Sequence, residues 1–150
     1  MGLEQWQENG WIQAVPVSAE EVQRLLDVAD RSLADAGVHG VSNDARVGFA
    51  HAATIAAAAG ALAATGYRAG RDRHHERLLD SLRYTIEIDG QTLKQLHQVR
   101  RTRNAMTYEK VGETTSAEAD AIVARARQTR EAVHAWLLKE HPVLPINPLS

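Results

Sequence analysis

Three guanidinium groups, Arg100, Arg101 and Arg103, fall within four residues of this chain, and Asn104 and Tyr108 follow them. Guanidinium forks match phosphate oxygens in pairs and stay charged at any working pH. Asn104 adds an amide donor and acceptor, and Tyr108 adds a phenol. These groups together fit a phosphodiester or nucleotide site. Cleaving RNA without a metal needs a group to take the 2′-hydroxyl proton, a cation for the developing phosphorane charge and an acid for the leaving oxygen. Arg103 is the candidate cation, and Asn104 the candidate for orienting a ligand. A free phenol has a pKa of about 10, so Tyr108 can donate a proton but is a poor base at neutral pH. The alternative for the whole cluster is a solvated basic helix end, which the helix dipole favours.

Helix geometry constrains the cluster. Residues five apart point about 140° apart, so Arg103 and Tyr108 share a face only if the helix ends or distorts between them, or if two chains build the site. Residues 101 and 103 point about 160° apart, which separates Arg101 from Arg103. A second basic lip is expected where Arg68 precedes Arg71, Arg73 and the His74-His75 pair. Adjacent histidines point about 100° apart and chelate one ion poorly, although one of the two can face the interior. Glu131 and His134 form a single Glu-x-x-His pair, without the second pair and the two further glutamates of a di-iron bundle. No metal site is expected.

The elements that must position these groups read as helices. Ser18, with Glu21 three residues on, opens the first long one, and Val22, Leu25, Leu26, Ala29, Leu33 and Ala36 follow at helical spacing. Gly37 and Gly40 end it. Ser42-Asn43-Asp44 caps a second, alanine-rich helix over residues 45–65, and Gly66 stops it. A third is expected over residues 72–86, a turn at Asp89-Gly90, and a fourth over residues 92–106. Ser116 is expected to cap a fifth, with Ile122, Ala126, Val133, Trp136 and Leu137 on one face. Three prolines then exclude helix from the tail. No strand pattern is visible. The expected fold is all-α, an up-and-down bundle of about five helices in one domain. A short arm over residues 1–17 would precede a helical core over 18–140 and a proline-rich tail over 141–150.

Composition narrows the chemistry. There is no cysteine, which removes disulfides, thiolate catalysis and cysteine-ligated metals. The formal net charge is −2, so nothing attracts the whole chain to polyanions. Charge is uneven, however. Residues 1–35 hold seven acids against two arginines, whereas residues 91–108 hold Lys94 and the three arginines with no acid. That distribution suits one local anion site rather than a long nucleic-acid groove. The N-terminus lacks the basic-then-apolar pattern of a signal peptide. The alanine-rich run over residues 52–64 is short and weakly apolar for a bilayer span. A cytoplasmic chain with no membrane partner is expected.

Taken in order, the motifs resemble a family. Asn43-Asp44-Ala45-Arg46 opens the alanine-rich helix, Ala63-Ala64-Thr65-Gly66-Tyr67-Arg68 closes it, and His74-His75 follows. Arg100-Arg101-Thr102-Arg103-Asn104 with Tyr108 comes next. The order is similar to short stand-alone bacterial members of the HEPN superfamily (higher eukaryotes and prokaryotes nucleotide-binding). Trp6 to Trp11 at the start, and Trp136-Leu137 before His141-Pro142, fit the same branch. The resemblance implies a helical bundle that forms a homodimer and uses no cofactor. Active members are metal-independent endoribonucleases with an Arg-x4–6-His motif that meets its copy across the dimer. Arg103 matches the motif arginine and Asn104 the polar residue after it. Tyr108 stands where the histidine would be, and members without that histidine are read as non-catalytic nucleotide- or RNA-binding modules. Arg100, Arg101 and Arg68 would assist phosphate binding. Many short members are paired with small nucleotidyltransferases in toxin–antitoxin or defence systems. The dimer is expected on the helices carrying residues 52–64 and 100–108.

Overall fold

The computed structural model describes residues 2–106 and 111–149. Tyr108 lies outside them. The described residues form six helices in chain order with two short strands: α1 (Leu3–Glu8), β1 (Ile12–Ala14), α2 (Ala19–Ala36), α3 (Asn43–Ala64), β2 (Tyr67–Ala69), α4 (His74–Ser81), α5 (Gly90–Met106) and α6 (Ser116–Glu140). The chain is an all-α bundle.

The helix ends follow local chemistry. Ser18 accepts a hydrogen bond from the Glu21 amide, and Ser42 accepts one from the Ala45 amide. Asp89 accepts from the Thr92 amide and hydroxyl at the start of α5. Thr115, rather than the expected Ser116, caps α6. Its hydroxyl and the Glu118 side chain satisfy one another's backbone amides, a full capping box. Ser116 is instead the first helical residue. α4 is also shorter than the expected span over 72–86. From Leu82 onward the backbone tightens into i to i−3 bonds, and Glu87 takes a positive φ of 55° that no helix accommodates.

α2 buries one stripe, Val22, Leu26, Ala29, Leu33 and Ala36, against α3. α3 is buried on almost every side, with α2 and α6 packed along it and α4 and α5 also against it. Small side chains allow this. At Gly60 an added Cβ would lie 3.3 Å from the Leu26 Cδ2, so α2 and α3 meet too closely there for alanine without a shift. α3 is long and apolar enough by composition to cross a membrane, but two-thirds of that stretch is buried inside this fold. The alanines at 57, 58, 61 and 64 are core residues of the single chain. Ala52 stays exposed, and Ala59 and Ala63 are half-buried, so part of the alanine run still faces outward.

The strands correct the sequence expectation of no sheet. β1 and β2 pair antiparallel, with Ile12 opposite Ala69, Gln13 opposite Arg68 and Ala14 opposite Tyr67. Three residues per strand are too few to carry a visible alternation. Gly66, at φ 89°, makes the sharp exit from α3 that lets β2 return to the N-terminal segment. The arm is therefore built into the fold. Trp6 is buried, with its ring edge-on to Trp11 at 5.8 Å and to Tyr84 at 5.4 Å. The Arg77 guanidinium covers Trp11 at 3.7 Å.

Candidate functional site

The last turns of α5 carry the arginine cluster, and the helix divides it. Arg100, Arg103 and Asn104 are three and four residues apart and share one face. Arg101 points the other way. It donates to Gln98 at 3.0 Å and lines a cavity of about 380 Å³ beside Glu113 and Glu118. Arg103 and Asn104 are exposed, and among the described residues no carboxylate pairs with Arg103. Arg68 is not brought to this face. It sits on β2, donates to Gln13 at 3.1 Å, and lines a separate apolar groove of about 500 Å³ with Leu25, Leu62 and Leu78.

Arg100 is held in place. It is mostly buried and reaches Glu76 of α4 at 3.5 Å. Its Nε donates to Nδ1 of His97 at 3.4 Å, and His97 Nε2 lies 2.7 Å from Asp80. The two bonds define the imidazole: Nε2–H donates to the Asp80 carboxylate, and the Nδ1 lone pair accepts from Arg100. The relay Asp80–His97–Arg100 thus ties α4 to α5 and fixes the direction of one guanidinium.

The same face holds an imidazole pair that sequence reasoning missed. His51 of α3 is only 3% exposed, and its Nε2 lies 3.1 Å from Nδ1 of His75 at the surface end of α4. Burial pushes His51 down to about 4, helped by the charges of His75, Arg103 and Arg100. His75 is lowered too, first by partial withdrawal from water, then by His74, Arg103 and Arg100. Both rings are therefore neutral at pH 7, in the positive field of the two arginines. His74 turns away and bonds the Gly70 carbonyl at 2.8 Å. One signal for His51 exists in the sequence: it is the only ionisable side chain between Arg46 and Tyr67.

The Asn43-Asp44-Ala45-Arg46 motif braces the segment after α5. Asn43 donates to the Thr114 carbonyl at 3.2 Å, Asp44 accepts from the Gly112 amide at 2.8 Å, and Arg46 pairs with Asp120 at 2.6 Å. These bonds hold the chain where it returns from the arginine face to α6. Glu131 faces solvent while His134 is buried next to Arg130, so the two do not form a shared ligand pair. Among the described residues no three His, Asp or Glu side chains gather as a metal site.

No family model, curated protein or solved structure matches this chain significantly. The arrangement itself is a surface where two guanidiniums flank a neutral imidazole pair. It can bind an anion through planar forks and move a proton beside it.

Proposed function

We propose that this chain binds RNA at the Arg100–Arg103 face and cleaves it without a metal, as a HEPN-type protein of a toxin–antitoxin or defence system. The observation that carries this reading is the convergence of two arginines with an imidazole pair that is neutral at pH 7. Arg103, with no carboxylate beside it among the described residues, is the phosphate contact, and Asn104 orients the bound group. The second reading is a non-catalytic RNA- or nucleotide-binding module. It draws on Tyr108, a phenol where the family resemblance expects a histidine. Product formation separates the two. On either reading the protein works in the cytoplasm, and a small nucleotidyltransferase as its partner would favour the toxin–antitoxin reading. A homodimer would form through the exposed end of α5 and the outward alanines of α3, Ala52, Ala59 and Ala63.

Arg103→Lys tests the phosphate contact. Lysine keeps the charge but loses the planar fork, so affinity for single-stranded RNA should fall about tenfold. Arg101→Lys should be tolerated better, since Arg101 leans toward Gln98 and α6. Binding should weaken with salt as counterions are released. Melting should barely move, because such surface changes stay within about 0.5 kcal/mol. Equal binding by wild type and Arg103→Lys would return the cluster to a solvated helix end.

The relay gives a second test. His97→Phe removes the acceptor that aims Arg100, and RNA affinity should drop several-fold, on the order of 1 kcal/mol. In an Arg100→Lys background the same substitution should add almost nothing, because both act on one contact. Additive losses in that double-mutant cycle would show that His97 does not work through Arg100.

A further inference from the structure

We propose that His75 is the proton-transfer group of this site and that the buried His51 is its positioning residue. The proposal rests on the RNA reading above and deepens it. The sequence order leaves a phenol after Arg103, and the fold supplies an imidazole from α4 instead.

The geometry of the pair restricts what each nitrogen can do. With 3.1 Å between His51 Nε2 and His75 Nδ1, one nitrogen donates and the other accepts. When His75 donates through Nδ1, its Nε2 carries a lone pair. When His75 accepts at Nδ1, its Nε2 carries a proton. With the Nδ1–H donated to His51, the outer nitrogen is a base, and taking up a proton from the substrate turns it into the acid. His75 Nε2 makes no hydrogen bond among the described residues, and the residue is exposed. His51 is withdrawn from water, so His75 is its route to a proton. A buried histidine whose neighbours all disfavour its charge is a costly residue to keep in an alanine helix.

The surrounding charges suit a phosphodiester. His75 faces His74 on its own helix and Arg100 and Arg103 from α5, while the nearby Glu76 is already engaged by Arg100 and Arg73. The neutral pair leaves a lone pair ready at pH 7. A bound phosphate offsets the arginine field and makes the imidazolium cheaper to form.

The step balances without an added reactant. His75 Nε2 takes the proton of a ribose 2′-hydroxyl. The 2′-oxygen forms a bond to the adjacent phosphorus, and Arg103 carries the added negative charge. The P–O5′ bond breaks, and the same proton passes from Nε2 to O5′. The products are a 2′,3′-cyclic phosphate end and a 5′-hydroxyl end. During the step His75 Nδ1–H donates to His51 Nε2, which shares the positive charge.

The test uses the full chain with a fluorescein-labelled oligouridylate RNA and its uncleavable 2′-O-methyl analogue. His75→Ala should slow cleavage at least about 100-fold, the usual contribution of a general acid–base group. It should change affinity for the analogue by less than about threefold, and added imidazole should restore part of the rate. A merely structural residue would show no such rescue. His51→Gln, which can still hydrogen-bond His75, should lower kcat about tenfold with KM unchanged. Wild-type cleavage rates in His75→Ala would overturn the proposal and leave the RNA reading standing. Binding of the analogue without any cleavage of RNA by the wild type would overturn it too, and leave the binding-module reading. Failure of the wild type to bind either probe would overturn both the RNA reading and the proposal. His75 is a surface residue, so its variants remain decisive even where a His51 variant does not fold.

Discussion

Acidifying the protein from pH 7 to pH 4 is expected to cost the fold on the order of 3 kcal/mol, most of it through His51. The ordinary histidine value is 6.5, and in the folded chain His51 sits at about 4. Between those values the unfolded chain binds a proton that the folded chain refuses. Stability therefore rises with pH across the window and is complete above the unfolded value. It is lost as pH falls toward 4, and protonation in the fold then ends the loss. His75 and His134 are lowered for related reasons and add in the same direction. The carboxylates held down by hydrogen bonds, Glu21 beside Arg24 and Asp89 beside Thr92, act elsewhere. Their contribution is lost at pH values below the ordinary carboxylate range. The measurement is urea unfolding at a series of pH values, on wild type and His51→Leu. The leucine variant should lose most of the slope between pH 6.5 and 4. An unchanged slope would place the acid sensitivity somewhere other than the imidazole pair.

That expectation could not have been written from the sequence. His51 stands alone in an alanine run, and its depth depends on how α4 lies across α3. No spacing rule sees a contact between residues 24 apart on two different helices. What the sequence does carry is local. Ser18 and Ser42 announce their helices because a hydroxyl three residues before an amide is enough to cap it, and Gly66 announces an exit. Helical arithmetic also separated Arg101 from Arg103, as the Gln98 contact bears out. The β1–β2 ribbon was invisible because its order comes from backbone bonds between two three-residue segments far apart in sequence. The Asn43-Asp44-Ala45-Arg46 motif was legible as a helix start. Its grip on Gly112, Thr114 and Asp120 was not, since those partners lie about 70 residues on. The arginine cluster was found for its composition, and the groups that aim it, Asp80 and His97, are spread over α4 and the middle of α5.

The largest stability effect is expected at the junction of α2 and α6, from Asp30→Ala. Arg130 is 2% exposed, and its Nε and Nη2 hold Asp30 at 2.8 and 3.1 Å. Its third nitrogen, Nη1, is buried without a hydrogen-bond partner among the described residues, as is Nδ1 of His134. The guanidinium thus depends on Asp30 for nearly all its compensation. Removing the carboxylate leaves a buried, uncompensated cation, which costs about 3–5 kcal/mol. The reverse substitution is milder. Asp30 is 40% exposed, so water takes up its charge when Arg130 is lost. Arg130→Met also removes the orphaned Nη1 and fills similar volume with apolar atoms. It should therefore change stability by only about 1 kcal/mol in either direction. The two sites must then couple: Asp30→Ala combined with Arg130→Met should be nearly as stable as Arg130→Met alone, a coupling on the order of 3 kcal/mol. Urea unfolding of the two single variants and the double variant measures this directly. Two equal and additive losses would mean that α2 and α6 are held by apolar packing, with the ion pair a bystander. A rescued double variant would mean that the desolvated guanidinium, once present, is what obliges the chain to keep Asp30.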